Sequence, residues 1–331
     1  MRHQVVLCCK YIIGVIPVFI PLRSGAPLPT SLARVSVVVR YHSRTTMKRR
    51  IPEYIFTLCL IWAPAGFADV DLFVSVLPLK YFAERVGGKY VEVEVMVQPG
   101  HSPVTYEPTP RQMAALSIAD AYVRVGVPFE SFWMQYILKA NPDLEIIDVR
   151  KGIKLPPPGN TSLYLADHVG RDPHIWLDPA LAGQIAHSIR DYLIRVDGVN
   201  SQYYRSHTEE LLTEFEQLDA DIRKLFANLK SRKFLVFHPA WGYFAKAYGL
   251  EQIAVEYEGK EPGPRSLSTL LDLARREGIH TVFAQKQFSS KMVNTLATEI
   301  NGRVIVLDPL AEDYFGSLIE AARAISGAGE P

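Results

Sequence analysis

From residue 201 to residue 229 the chain runs 29 residues without a glycine or a proline. Tyr204, Leu211, Leu212, Phe215, Leu218, Ile222 and Phe226 recur there at threes and fours, the spacing that gathers apolar side chains on one helix face. At 1.5 Å per residue such a helix is on the order of 40 Å long. On both sides of it, short runs rich in Val, Ile and Phe alternate with helical patterns, which argues for parallel βαβ units. The long helix reads as a rigid connector between two sets of them.

Before the connector, strands are expected at 71–76, 90–97 and 121–125, and helices at 79–86, 110–118 and 179–194. After it, strands at 233–237, 252–255, 280–284 and 303–307 alternate with helices at 239–248, 266–277, 290–300 and from about 313 onward. Pro156, Pro157 and Pro158 mark a surface loop. No internal repeat is evident in the residues themselves.

The amino end follows other rules. Met47-Lys48-Arg49-Arg50 begins a basic cluster, residues 54–67 are mainly apolar, and Gly66-Phe67-Ala68 offers the small residues a signal peptidase reads. A signal peptide over 47–68, cleaved after Ala68, is the expectation. The stretch is too short for a membrane span. Residues 1–46 carry basic charges and no acidic ones; they read as an upstream start-site artefact, with an organelle transit peptide as the alternative. Nine of the 36 basic residues and one of the 35 acidic ones precede residue 69, leaving 27 basic and 34 acidic and a net charge near −7. Such a surface gives no reason to expect nucleic acid as a partner. Cys8, Cys9 and Cys59 are the three cysteines, so the exported chain has neither disulfides nor thiolates. Any metal site must use His and carboxylates. The 263 residues that remain suffice for two α/β lobes or one large domain.

Four apolar runs adjoin a metal-ligand residue. Residues 93–97 lead to Gly100-His101, Asp172-Pro173-His174 opens onto Ile175-Trp176-Leu177, residues 234–237 stop at His238, and residues 304–307 stop at Asp308. The gaps of 73, 64 and 70 residues rule out a single helix or hairpin. In open α/β sheets ligands bind outside the carboxyl ends of the strands, where three imidazoles and a carboxylate suit tetrahedral Zn²⁺ or a related divalent ion. Asp172 is placed to orient His174. Each residue alone fits a capping, core or surface role; the joint placement carries the metal reading. His168, His187, His207 and His280 do not share it and read as structural or surface residues.

With these residues in place, the chain resembles the zinc/manganese-type solute-binding proteins of bacterial ABC importers across residues 70–325. The resemblance rests on Gln98-Pro99-Gly100-His101-Ser102-Pro103-Val104-Thr105-Tyr106-Glu107-Pro108-Thr109-Pro110, Asp172-Pro173-His174-Ile175-Trp176-Leu177-Asp178-Pro179, Phe237-His238-Pro239-Ala240-Trp241-Gly242-Tyr243-Phe244, Glu261-Pro262-Gly263-Pro264 and Leu307-Asp308-Pro309-Leu310. It implies an α/β fold of two βαβ-type lobes with parallel sheets joined by one long rigid helix, the metal held in the cleft between them. The lobes would span 69–200 and 231–331, with the linking helix at 201–230. The protein would be a soluble periplasmic monomer, not an enzyme, that hands its ion to a membrane permease and ATPase, with a periplasmic metallochaperone as a further candidate partner. Two departures stand out. Relatives commonly carry the first His where this chain has Val104, and often an acid where it has Gln285, whose amide suits hydrogen bonding rather than ligation. His238 at the third position leans to zinc, where manganese binders tend to carry Glu; Mn(II) and Fe(II) remain alternatives, and the His-rich loop of many zinc members is missing. A zinc hydrolase is the competing class, but it needs an open coordination position and a general base. Glu107 could serve only if its loop folded inward. An adhesin carrying metal incidentally is a third reading.

Overall fold

The structure, a computed structural model, describes residues 70–153, 172–256, 261–285 and 290–327. The expected signal peptide and the segment before it, the triple-proline loop with His168, and residues 257–260 and 286–289 lie outside the described residues. The first set of elements is β1 (Val70–Val74), α1 (Leu77–Gly87), β2 (Val91–Val95), α2 (Pro110–Leu116), β3 (Ala121–Arg124), α3 (Pro128–Ala140) and β4 (Glu145–Asp148). Then α4 (Pro179–Val196) and the connector α5 (Ser201–Leu225) follow. The second set is β5 (Lys233–Val236), α6 (Gly242–Ala247), β6 (Glu251–Ala254), α7 (Pro264–Arg276), β7 (Thr281–Ala284), α8 (Ser290–Glu299), β8 (Arg303–Val306) and α9 (Tyr314–Ser326).

Both sheets are parallel, as the alternation requires, and they share one topology: β2-β1-β3-β4 and β6-β5-β7-β8. The first strand of each set lies between the second and third. The repeat invisible in the residues is therefore present in strand order. Leu72, Phe73 and Val74, like Leu235 and Val236, are buried whichever face they point to, because helices cover both sides of a parallel sheet.

The connector ends at Leu225, earlier than its apolar spacing predicts. Phe226 leaves helical geometry at φ −93° and ψ 0°, yet it stays buried against Phe244 and Tyr248, with ring centroids 5.9 and 5.6 Å away. Its hydrophobicity marks packing onto the second set, not another helical turn. The last helix, α9, crosses back over the connector. Tyr314 meets Phe82 of α1 at 4.8 Å and Phe215 of α5 at 5.6 Å, and Phe315 stacks on Phe215. One apolar cluster therefore runs from the first sheet through α5 to α9, and a second lies wholly among the C-terminal elements.

Two elements, α3 and β4, have no counterpart in the sequence reading. The third residue of α3, Glu130, is fully buried. Its carboxylate accepts from the Ser75 hydroxyl, from the backbone N–H groups of Val125 (3.2 Å) and Gly126 (2.7 Å), and from Arg124 Nε (3.3 Å). Burial pushes its pKa up. Gly126 has φ +87°, and a Cβ there would meet the Arg150 guanidinium at 2.1 Å, so the turn that supplies this N–H needs glycine.

Candidate metal centre

The second sheet ends in a row of polar side chains. Its ladder continues past the strands: Phe237 N–H donates to Phe283 O, Glu256 N–H to Phe237 O and Leu307 N–H to Ala284 O, each at 2.8 Å. Phe234, Val236 and Phe283 face the cluster shared with α5, whereas Leu235, Phe237, Val282 and Ala284 face the other one. Strand alternation then turns His238, Glu256 and Gln285 to the shared face. They lie just past the ends of β5, β6 and β7, neighbours in the sheet.

The row is organised by a carboxylate. Glu256, with 2% of its side chain exposed, places Oε1 3.0 Å from His238 Nδ1. With the hydrogen on the ring nitrogen that faces the carboxylate, the contact is an N–H···O bond and the lone pair is left on Nε2. The first set builds the same arrangement differently. Asp172 Oδ1 accepts from the backbone N–H of His174 at 2.9 Å and lies 2.7 Å from its Nδ1. The side chains of His174 and His238 are 13% and 15% exposed.

The two imidazoles stand together, with ring centroids 5.5 Å apart and planes crossing at 76°. Two imidazoles bound through nitrogen to one tetrahedral Zn²⁺, at Zn–N distances of about 2.0–2.1 Å, have centroids roughly 5 Å apart. The observed spacing is close to that value. His174 precedes a short 3-10 turn (Ile175–Leu177) rather than a strand, which corrects the expectation that all four candidates sit at strand ends. That turn is fixed from the other side of the cleft. The indole of Trp176, fully buried, donates to Pro309 O at 2.8 Å, and Tyr314 Oη donates to Trp176 O at 2.7 Å. Asp308, next to Pro309, is thereby tied to the His174 segment. Its Oδ1 accepts from Leu310 N–H at 3.0 Å. Gly242 completes the seam: a Cβ there would meet Asp172 Oδ2 at 2.7 Å, so a bare α-carbon lets the carboxylate lie against α6.

His101 lies on an exposed loop six residues beyond β2, its ring centroid 5.7 Å from that of Tyr106 and its Nδ1 3.3 Å from Pro99 O. The loop is braced: Tyr106 Oη donates to Gln112 Oε1, Gln112 Nε2 donates to Met96 O, and Phe129 N–H donates to Pro103 O. Val104 and Glu107 are exposed on it, and Gln285 is buried. Among the described residues no three His, Cys, Asp or Glu side chains gather at metal-holding spacing. His101 and Asp308 therefore do not complete a trio with the imidazole pair here. Sequence reading missed Glu256, whose role depends on β6 lying beside β5. The other histidines have local partners or settings: His207 stacks on Tyr203 at 3.8 Å, His280 Nδ1 is 3.2 Å from Ile300 O, and His187 lies on α4.

A family model described as zinc-uptake complex component A, periplasmic (ZnuA), matches residues 72–328. The chain belongs to the ZnuA family. It is similar to the high-affinity zinc uptake system protein ZnuA of Bacillus subtilis (strain 168), 27% identical over 244 residues, which are 70% of this chain and 76% of that one. A crystal structure of ZnuA matches with TM-score 0.74 and 39% identity, covering 79% of this chain and 100% of its own. A zinc-bound ZnuA deletion mutant matches with TM-score 0.74 and 40% identity, covering 80% of this chain and 99% of its own. The two-lobed α/β architecture expected from the sequence is thus the fold of the family, whose members are periplasmic components. No helix among the described residues is long and apolar enough to cross a membrane.

Proposed function

We propose that this protein captures Zn(II) outside the cytoplasmic membrane and delivers it to an ABC import permease and its ATPase. The observation that carries this reading is the His174–His238 pair, contributed by the two halves of the chain at the spacing one tetrahedral ion requires. His101 supplies the third imidazole by movement of its loop, and Asp308 supplies the carboxylate. Three imidazoles and one carboxylate are a borderline-soft donor set that suits zinc better than the harder Mn²⁺. Four protein donors close the coordination sphere, which fits capture and release rather than hydrolysis, where a position must stay open for water. The lobes meet at 200/201 and 230/231 around the connector, the leader is removed after Ala68, and the mature protein acts as a monomer.

The test is the metal content of protein exported from cells and purified without a metal-affinity tag. One zinc per chain, lost in His174→Ala and His238→Ala and retained in His207→Ala, is the expected result. Manganese or iron in its place, or equal loss in all three variants, would overturn the reading.

A further inference from the structure

The row at the end of the second sheet contains a buried carboxylate that the ligand set leaves unused. Glu256 is three residues beyond Ile253 on β6, and His238 is two residues beyond Val236 on β5. The two strands pair in parallel with Val236 opposite Ala254, so two residues further on His238 and Glu256 stand side by side. Contact between them thus follows from sheet register rather than from a loop. Glu256 is anchored at its own backbone, donating N–H to Phe237 O at 2.8 Å. On the opposite flank of His238 the neighbouring strand ends in Gln285, a neutral amide. The Glu256 carboxylate meets the imidazole at Nδ1, at 3.0 Å.

We propose that Glu256 is a positioning residue for the metal site: it keeps the His238 hydrogen on Nδ1 and so aims the Nε2 lone pair at the ion in the cleft. Free imidazole has two neutral tautomers, and only one of them presents the nitrogen on the far side of the ring from Glu256. A carboxylate held rigidly at Nδ1 selects it before metal arrives, and raises the basicity of the ligating nitrogen. Asp172 does the same for His174 from two residues away, but its side chain is 33% exposed against 2% for Glu256. The buried partner on the adjacent strand is the stiffer of the two. This inference rests on the zinc reading for its purpose but not for its first measurement.

The experiment uses nitrogen-15 NMR of histidine-labelled, metal-free protein at a pH where imidazole is neutral, followed by zinc competition titrations on wild type and Glu256→Gln. His238 in the wild type should appear as the Nδ1–H tautomer, without any variant being needed. In Glu256→Gln, of nearly the same shape, the Nε2–H form should become populated and zinc affinity should fall about 10–100-fold, the range seen when partners of ligating histidines are removed. A wild-type His238 protonated on Nε2 would overturn the proposal. So would either change in Glu256→Gln without the other, since orientation and affinity would then be unlinked. If wild type shows the Nδ1–H tautomer but takes up no zinc, the functional reading fails while the orientation by Glu256 stands.

Discussion

The two sheets share one topology and use it differently. In an open parallel sheet the crevice for ligands opens where neighbouring strands send their connections to opposite sides. In the first sheet that point lies between β1 and β3, and Glu130 fills it, accepting from Ser75, Val125, Gly126 and Arg124. In the second sheet it lies between β5 and β7, and His238 stands there beside Gln285, with Glu256 at its back. One carboxylate seals a switch point and the other arms it. The first half of the molecule places its candidate ligands outside its sheet: His174 on the segment before α4, and His101 on the loop after β2. The second half carries its candidate ligands, His238 and Asp308, just past strand ends, the more rigid way to hold a ligating group.

The largest expected effect separates ligands from bystanders. His238→Ala and His174→Ala should weaken zinc binding by two orders of magnitude or more in competition titrations. His101→Ala should cost less, because its loop must rearrange to bring the ring to the ion and gives back part of the contact in doing so. A His101→Ala loss as large as that of His238→Ala would erase the contrast between a loop-built and a sheet-built half.

Acid is the next lever. Protons compete with metal for imidazole nitrogen, and free imidazole titrates near pH 6.5, so with three ligating imidazoles affinity should drop by about four orders of magnitude between about pH 7 and pH 5, with protons taken up as zinc leaves. Calorimetry in buffers of different ionisation enthalpy measures both. An affinity flat across that window would mean that carboxylates dominate the site.

Glu130→Gln probes the sealed switch point. The amide must turn its NH₂ toward N–H donors, and should cost about 1–3 kcal/mol of stability while leaving zinc affinity unchanged. Because burial raises the pKa of Glu130 in the folded protein, folding favours its protonated form. Its contribution is fully present below the ordinary carboxylate range and is lost as pH rises through the raised value. Wild type should therefore lose stability over that interval and Glu130→Gln should not, as followed by thermal unfolding across pH. A zinc defect in this variant would make the two carboxylates alike and break the comparison.

Much of this contrast was legible in the chain, and the exceptions have physical causes. The strand–helix alternation, the connector and the adjacency of Asp172 to His174 are local patterns that periodicity and spacing report directly. Helix α3 was not legible. It buries Phe129 and Ile137 but also presents Phe132 and Tyr136 to solvent, so its aromatic residues form no single stripe. Strand β4 is an edge strand, none of it fully buried, and shows no strong alternation. The run Ile175-Trp176-Leu177 is apolar because it plugs the seam beneath Pro309, and three residues are too few to tell a 3-10 turn from a strand. Glu256 escaped because its partner is a neighbour in the sheet, 18 residues away along the chain.

The smallest predicted effect lies at the seam between the halves. Gly242→Ala forces a Cβ to within 2.7 Å of Asp172 Oδ2, which displaces the carboxylate that orients His174. A loss of about tenfold in zinc affinity, with thermal stability nearly unchanged, is expected from disturbing such a partner. Unchanged affinity would show that the His174 ring is held without Asp172.

The central claim is that one ion joins an imidazole from each half of the molecule. Anomalous diffraction at the zinc edge, from crystals of the zinc-loaded protein, locates that ion directly. The account predicts a single peak about 2.0–2.1 Å from Nε2 of both His174 and His238, with His101 and Asp308 completing a tetrahedron. A peak bound to only one of these two imidazoles, or seated elsewhere, such as at His187 or His207, would contradict it.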